Sequence, residues 1–272
     1  MPLDTRRLTG PESSQSPYNF APVNKLDLTQ LDKRPDGRSI KKLRPLFLRT
    51  NVVSQARGSS YIEMNETKVI CAVYGPREVL RREDFSLKGQ LTCDFKFTTF
   101  SCRQRRQYQQ DSQEKDLSVL VLEALEPAVC LHKYPKSQIN IFITVLQHDG
   151  SALSAAITCA SVALASAGIE MYDLVVASSA AICGSVTLID PTAQEEDALL
   201  KATVKPDNNA GSVTVAFLPS LSQVSAISSD GELSFEILNK SMQECVANCQ
   251  KLYPVLEHTL VKHQQELEAG RS

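Results

Sequence analysis

A mixed α/β protein of the α+β kind, made of two half-units that each pair a mixed sheet with helices, is what the order of sequence patterns predicts. Three observations carry this. Strand-like runs come in groups rather than alternating strictly with helices, which argues against a doubly wound parallel sheet. The apolar run Ile139 to Leu146 passes through Asp149-Gly150 into a stretch of small residues, Ser151 to Ala167, so a buried strand turns directly into a small-residue helix. Leu117, Leu120, Val121, Ala124, Leu125, Ala128 and Val129 recur at helical spacing, which predicts a helix over Asp116 to His132 stopped by Tyr134-Pro135.

The elements follow in order. Residues 1–33 are polar and Pro-rich and read as a flexible arm, and the folded domain spans 34–270. Arg34-Pro35-Asp36-Gly37-Arg38 is turn chemistry that opens it. Tyr61 to Met64 and Val69 to Tyr74 form a hairpin around Asn65-Glu66-Thr67. The second arm is apolar on both faces, which suits a central strand, and is expected to end at Gly75-Pro76. A charged loop from Arg77 to Lys88, including Arg81-Arg82-Glu83-Asp84, precedes a strand over Gln90 to Phe100. Beyond the small-residue helix come an apolar run, Met171 to Ala181, and a strand, Gly184 to Ile189, that meets Asp190-Pro191. Glu195-Glu196-Asp197 reads as an acidic, solvated loop. Ser212 to Leu218 and Gln223 to Ser228 form a second hairpin around Pro219, and a long helix, about Ser234 to Glu268, closes the chain with a kink expected at Pro254.

Composition narrows the function. The chain has 272 residues, 42% of them hydrophobic, enough for a substantial core. Net charge is −2, so contact with nucleic acid must come from a local patch. Trp is absent and aromatics make up 6%, which argues against base stacking as the main tool. The eight Cys show no paired metal spacing. Cys245 and Cys249 lie one helical turn apart with His258 beyond, and they read as buried small hydrophobes rather than a zinc site. No signal pattern or long apolar span is visible, so a reduced intracellular compartment and no membrane partner are expected. The four His stand apart and no Ser-His-Asp order appears; His148 reads as packing or a local hydrogen bond. Two features could carry chemistry: the helix N-terminus after Asp149-Gly150, whose first N–H groups suit an anion, and the basic cluster Arg103-Gln104-Arg105-Arg106.

A resemblance sharpens both. Arg34-Pro35-Asp36-Gly37-Arg38, Leu43-Arg44-Pro45, Ala56-Arg57-Gly58-Ser59, Thr67-Lys68-Val69 and Tyr74-Gly75-Pro76-Arg77 stand in one order with three later pieces. These are Leu122-Glu123-Ala124-Leu125-Glu126, Tyr134-Pro135-Lys136-Ser137-Gln138-Ile139 and Val145-Leu146-Gln147-His148-Asp149-Gly150. The set resembles the RNase PH family, phosphorolytic 3′→5′ exoribonucleases and their exosome relatives. The resemblance implies the RNase PH fold, paired β-α units like those of ribosomal protein S5. It also implies heterodimers with other RNase PH-like subunits in a hexameric ring, S1-domain cap subunits and associated 3′→5′ exoribonucleases. RNA would thread the pore, and the setting would be nucleus, nucleolus and cytoplasm.

Active members of that family carry Gly-Thr-Arg after the Asp-Gly turn, where Arg clamps a phosphate bidentately. Here the positions read Ser151-Ala152-Leu153, although Ser151 and Ser154 could offer hydrogen bonds. Active members also place an Asp at a strand end and a second acid six residues on. Asp190 holds the first position, and Glu196 or, with one residue inserted, Asp197 the second. The expectation is a non-catalytic member with no catalytic residue, metal or cofactor. Arg103, Arg105 and Arg106 match the family's channel-facing stretch and are the RNA-binding candidates, against a solvated loop or a protein contact. Arg57 and Arg77 read as structural or at subunit contacts. An active phosphate-dependent 3′→5′ exoribonuclease and a scaffold that never meets RNA are the alternatives.

Overall fold

A computed structural model describes residues 34–79, 86–103, 105–184, 186–203 and 209–269. The expected N-terminal arm, the Arg81–Asp84 run and the stretch after Thr203 lie outside them. Nine strands and four α-helices follow in chain order among the described residues. They are β1 (Leu46–Thr50), β2 (Gly58–Met64), β3 (Thr67–Glu78), β4 (Gln90–Phe97), α1 (Ser112–Leu125), β5 (Ser137–Gln147), α2 (Ala152–Ser166), β6 (Val176–Cys183), β7 (Val186–Ile189), α3 (Ala193–Thr203), β8 (Ala210–Leu218), β9 (Gln223–Glu232) and α4 (Phe235–Ala269). The first five strands form one sheet, ordered β1-β2-β3-β5-β4, and the rest a second, β7-β6-β8-β9. Among the described residues only β4 and β5 pair in parallel, and α1 is the crossover between them. The expected two half-units with mixed sheets are therefore present.

The helix α2 is the centre of the molecule. It packs against β2 and β3 on one side and β6 on the other. A helix held between two sheets is buried all round, and its Ala, Ser and Cys side chains let both backbones come close. Gly58 shows how close: a Cβ there would stand 2.3 Å from Ala167 N and 2.5 Å from Ala163 O. Hydroxyls on α2 also take backbone donors from the start of β6 and the residue before it, Thr158 Oγ1 from Ala177 N at 3.1 Å and Ser161 Oγ from Val175 N at 2.8 Å. These polar atoms are buried but paired, which is what makes them tolerable in a core.

Several expected boundaries move. β3 does not end at Gly75-Pro76; it continues to Glu78 through a register shift between Tyr74 and Arg77. α1 begins at Ser112, four residues early, because Asp111 and Glu114 form a capping box. It ends at Leu125, and the remainder to Lys133 is two 3-10 turns, the first led by Glu126-Pro127. Its inner face carries the expected apolar residues plus two polar ones. Glu114 Oε1 accepts Phe97 N at 2.8 Å and Ser118 Oγ accepts Phe95 N at 3.1 Å. α1 thereby satisfies the free edge of β4, which an exposed strand would otherwise offer to another chain. The acidic run at 195–197 is not a solvated loop: it lies in α3, and Glu195 is fully buried. In α4, Pro254 sits inside a continuous 35-residue helix, and Cys245 and Cys249 are buried on its inner face while His258 is exposed. Burial pushes both thiols above the usual range, Cys245 to about 12.

Candidate functional site

Strand β5 delivers Asp149-Gly150 to the start of α2, and β7 delivers Asp190-Pro191 to the start of α3. The two strand ends meet. Gly150, at φ +83°, permits this: a Cβ would lie 2.3 Å from Pro191 O. Ser151 follows at φ 54° and Asp190 at φ 53°, so two non-glycine residues sit in the left-handed region at the junction. Each helix start is then capped by an acid from the other turn. Ser151 N donates to Glu196 Oε1 at 2.7 Å. The Asp149 carboxylate accepts from Ala193 N. Thr192 N, just before α3, donates to Glu195 Oε2 at 2.9 Å, the return half of a capping box. The structure thus chooses between the two sequence candidates: Glu196 faces the Asp149-Gly150-Ser151 turn, while Asp197 is exposed.

Beneath the junction lies Arg44. Its five guanidinium N–H groups are all engaged: Nε to Asp190 Oδ2 at 3.0 Å, Nη2 to Asp190 Oδ1 at 2.6 Å and Gly150 O at 3.3 Å, and Nη1 to Thr67 Oγ1 at 3.0 Å and Asp149 O at 2.7 Å. Arg44 N adds a bond to Asp190 Oδ2 at 3.0 Å. Arg38 Nη1 lies 3.5 Å from Asp190 Oδ2, and Arg34 Nη2 donates to Ile189 O at 2.5 Å. Burial alone would raise the Asp190 carboxyl, but its bonds to Arg44 outweigh that and hold it below the usual carboxylate range. Asp190, where the resemblance expects the first acid, is therefore tied up as an internal ion pair.

Leu153, where the resemblance expects an arginine, packs against the main core and lines a shallow apolar groove with Leu120, Ile157, Ala216, Ala226 and Ile227. Ser151 Oγ is turned inward, donating to Pro191 O at 3.0 Å and accepting from Ser179 Oγ at 2.8 Å. Ser154 Oγ donates to Ser151 O at 2.9 Å. Both hydroxyls near the helix start are spent inside the protein.

His148 stands at the rim. Its ring meets Phe97 edge-on with centroids 5.4 Å apart, its backbone N–H donates to Ser101 O at 2.9 Å, and its Nε2 is 3.9 Å from Glu196 Oε2. Burial is the main reason the Glu196 carboxyl is pushed up to about 7, and Asp197 and Asp149 add to the rise against the Ser151 N–H and Arg44. Burial, helped by Arg106 and Arg44, lowers His148 to about 4. The two act in opposite senses. Glu196, raised from 4.5, gives stability that is complete below pH 4.5 and lost as pH rises through 7. His148, lowered from 6.5, gives stability that is complete above pH 6.5 and lost as pH falls through 4. Glu196→Gln is therefore expected to make stability climb with pH between those limits, and His148→Gln to make it fall. Each effect is about 1–2 kcal/mol, discounted from about 1.4 kcal/mol per pKa unit because the environment is partly wet. Glu196 keeps 31% of its side chain exposed. Urea unfolding at pH 4.5, 5.5 and 6.5 reads this, and identical slopes in the parent and both variants would refute it.

The three candidate arginines separate. Arg106 is used internally: its guanidinium lies 4.2 Å from the Phe97 ring centroid, Nε points to Cys102 Sγ at 3.2 Å and Nη2 donates to Gln113 Oε1 at 3.0 Å. Arg103 and Arg105 are exposed, and Arg103 lies near enough to Asp149 to pull its carboxyl down against burial. Arg57 is structural, donating through Nε to Ala167 O at 3.0 Å, at the C-terminal end of α2 where a cation is favoured. Arg77 lies over Tyr74, 5.3 Å from its centroid. Among the described residues no group of three or more His, Cys, Asp and Glu is placed to hold a metal, and no helix is long and apolar enough to cross a membrane.

Two sheets thus flank a buried small-residue helix, and two strand ends meet at acid-capped helix starts. The RNase PH family model (3′ exoribonuclease family, domain 1) matches residues 42–170. The human exosome complex component MTR3 is 38% identical over 96% of both chains. An Arabidopsis thaliana exosome complex component RRP41-like is 36% identical over 84% of both. Among solved structures, rice Rrp46 superposes with a TM-score of 0.71 at 24% identity, over 84% of this chain and 100% of that one. The chain belongs to the RNase PH family.

Proposed function

We propose that the chain is a non-catalytic RNase PH-like subunit of an RNA exosome core, of the kind for which its MTR3 relatives are named. It pairs with another RNase PH-like subunit inside a hexameric ring and supports S1-domain caps. It helps to thread RNA to associated 3′→5′ exoribonucleases, in nucleus, nucleolus and cytoplasm. Identity of 38% across nearly the whole length supports membership. One observation carries the non-catalytic half: the N–H that opens α2 is held at 2.7 Å by the protein's own Glu196 carboxylate, on a turn with no charged side chain at Leu153. A phosphate dianion brought there would meet a carboxylate and a leucine rather than a clamp.

Incubating the chain, alone and paired with its ring neighbour, with RNA, inorganic phosphate and Mg²⁺ tests this. No phosphate-dependent release of nucleoside diphosphates is expected, and Leu153→Arg alone should not create it, because Glu196 still holds Ser151 N. Nucleoside diphosphates from the parent would reverse the assignment. Glu196 itself favours the second reading, a working phosphorolytic exoribonuclease, since an acid near pH 7 suits protonation of a leaving oxygen. That alternative requires activity in the parent that Glu196→Gln abolishes.

A further inference from the structure

The segment joining β4 to α1, residues 98–111, is closed at its neck. Arg106 N donates to Thr99 O at 3.1 Å, so the chain leaves and returns at one point. Ser101 Oγ donates to Thr98 O at 2.8 Å, Ser101 O accepts His148 N, and Gln110 Nε2 reaches Phe95 O at 3.3 Å. Arg106 is pinned on Phe97 as described above. What this built neck leaves outside is specific. Phe100, on the outgoing leg, is 69% exposed, and Tyr108, on the returning leg, is 74% exposed. Between them stand Arg103 and Arg105, exposed, with neither making an ion pair among the described residues. The segment holds three arginines against one acid, Asp111, and that acid lies 3.9 Å from Arg106 Nη1.

A loop that exposes two large rings and two arginines, neither of them in an ion pair among the described residues, has the elements of a single-strand platform. Cations meet the phosphates, and flat rings accept any base face. Tyr74 and Phe142, also partly exposed, differ: they are packed on each other with centroids 5.7 Å apart. We propose that Phe100 and Tyr108 are base-stacking residues for single-stranded RNA, with Arg103 and Arg105 holding its backbone. The proposal rests on the RNA-threading reading above and adds to it a contact with bases. Composition argued against stacking as the main tool; two rings on one pinned loop supply a local one.

The test uses the full-length chain and two labelled 15-mers of equal charge, an oligoadenylate and an abasic ribose-phosphate strand, followed by fluorescence anisotropy. The parent is expected to bind the oligoadenylate at least tenfold more tightly, and Phe100→Ala/Tyr108→Ala to remove that preference while leaving abasic affinity unchanged. Arg103→Ala/Arg105→Ala should weaken both strands and lower the salt slope by about 1.4. The chain has no Trp, so Tyr108→Trp gives a single indole, excited selectively over the remaining tyrosines, that bases should quench and the abasic strand should not. Equal affinity of the parent for the two strands overturns stacking and leaves the backbone contact standing. Binding to neither overturns both. Quenching of the Trp by another ring subunit but not by RNA makes the loop a protein contact and ends the proposal.

Discussion

Arg44→Met is expected to lower the unfolding free energy by about 3–5 kcal/mol, read by urea denaturation at neutral pH. The cause is not the lost attraction alone. Asp190 is nearly fully buried and would keep a charge whose main partner had gone. Gly150 O, Asp149 O and Thr67 Oγ1 would lose donors in the same step. The double variant Arg44→Met/Asp190→Asn should therefore be more stable than Arg44→Met, because it removes the stranded charge. Arg44→Lys should recover less than half of the loss, since one ammonium cannot match a planar fork whose five donors all have acceptors. A single variant within 1 kcal/mol of the parent would refute the account of this hub.

Gly150→Ala is expected to cost about 2–5 kcal/mol. Two terms add: the positive φ, which L side chains rarely adopt, and a Cβ placed 2.3 Å from Pro191 O and 2.6 Å from Thr192 C. Relief requires the α2 and α3 starts to part, which would also break the Ser151–Glu196 and Asp149–Ala193 bonds. A readout beyond stability follows: the near-neutral titration of Glu196, followed by carboxyl NMR, should move down towards its usual range as water enters. Gly168→Ala is a useful control. Gly168 also has positive φ, +71°, but nothing lies within 4 Å of its would-be Cβ, so only the conformational part of the cost should appear.

Much of this was legible in the sequence, for identifiable reasons. The passage of an apolar strand through Asp149-Gly150 into a small-residue helix was readable from composition and pattern, and β5 leads into α2 at that turn. The β2–β3 hairpin and the central place of β3 followed from alternation and from a doubly apolar arm. What escaped were long-range polar pairings that leave no local pattern. Glu114, just ahead of the expected helix start, and Ser118, off its apolar face, carry no sign of burial, yet they close the edge of β4. Glu195-Glu196-Asp197 looks like a solvated run because three acids in a row repel. Each instead has its own environment: Glu195 beside Arg34 at 3.6 Å, Glu196 on a helix start, Asp197 in water. Spacing left Glu196 and Asp197 both open, and only the meeting of the two strand ends decided between them. Arg106 shares a basic cluster with its neighbours in sequence but not their exposure, because its guanidinium lies on Phe97. The strand beyond Gly75-Pro76 is invisible in the sequence because proline there signals a stop, whereas β3 absorbs it at a register shift between Tyr74 and Arg77.

The Arg44–Asp190 pair also sets a schedule for synthesis. The partners are 146 residues apart. At a ribosomal rate of 5–20 residues per second, Asp190 emerges roughly 7–30 s after Arg44. Throughout that interval the first sheet can assemble, but the turn it presents at Gly150 lacks its counterpart, and the guanidinium must remain hydrated. A nascent chain released before Asp190 is therefore expected to be a poor folding unit, and chaperone binding during elongation should persist until β7 has left the exit tunnel.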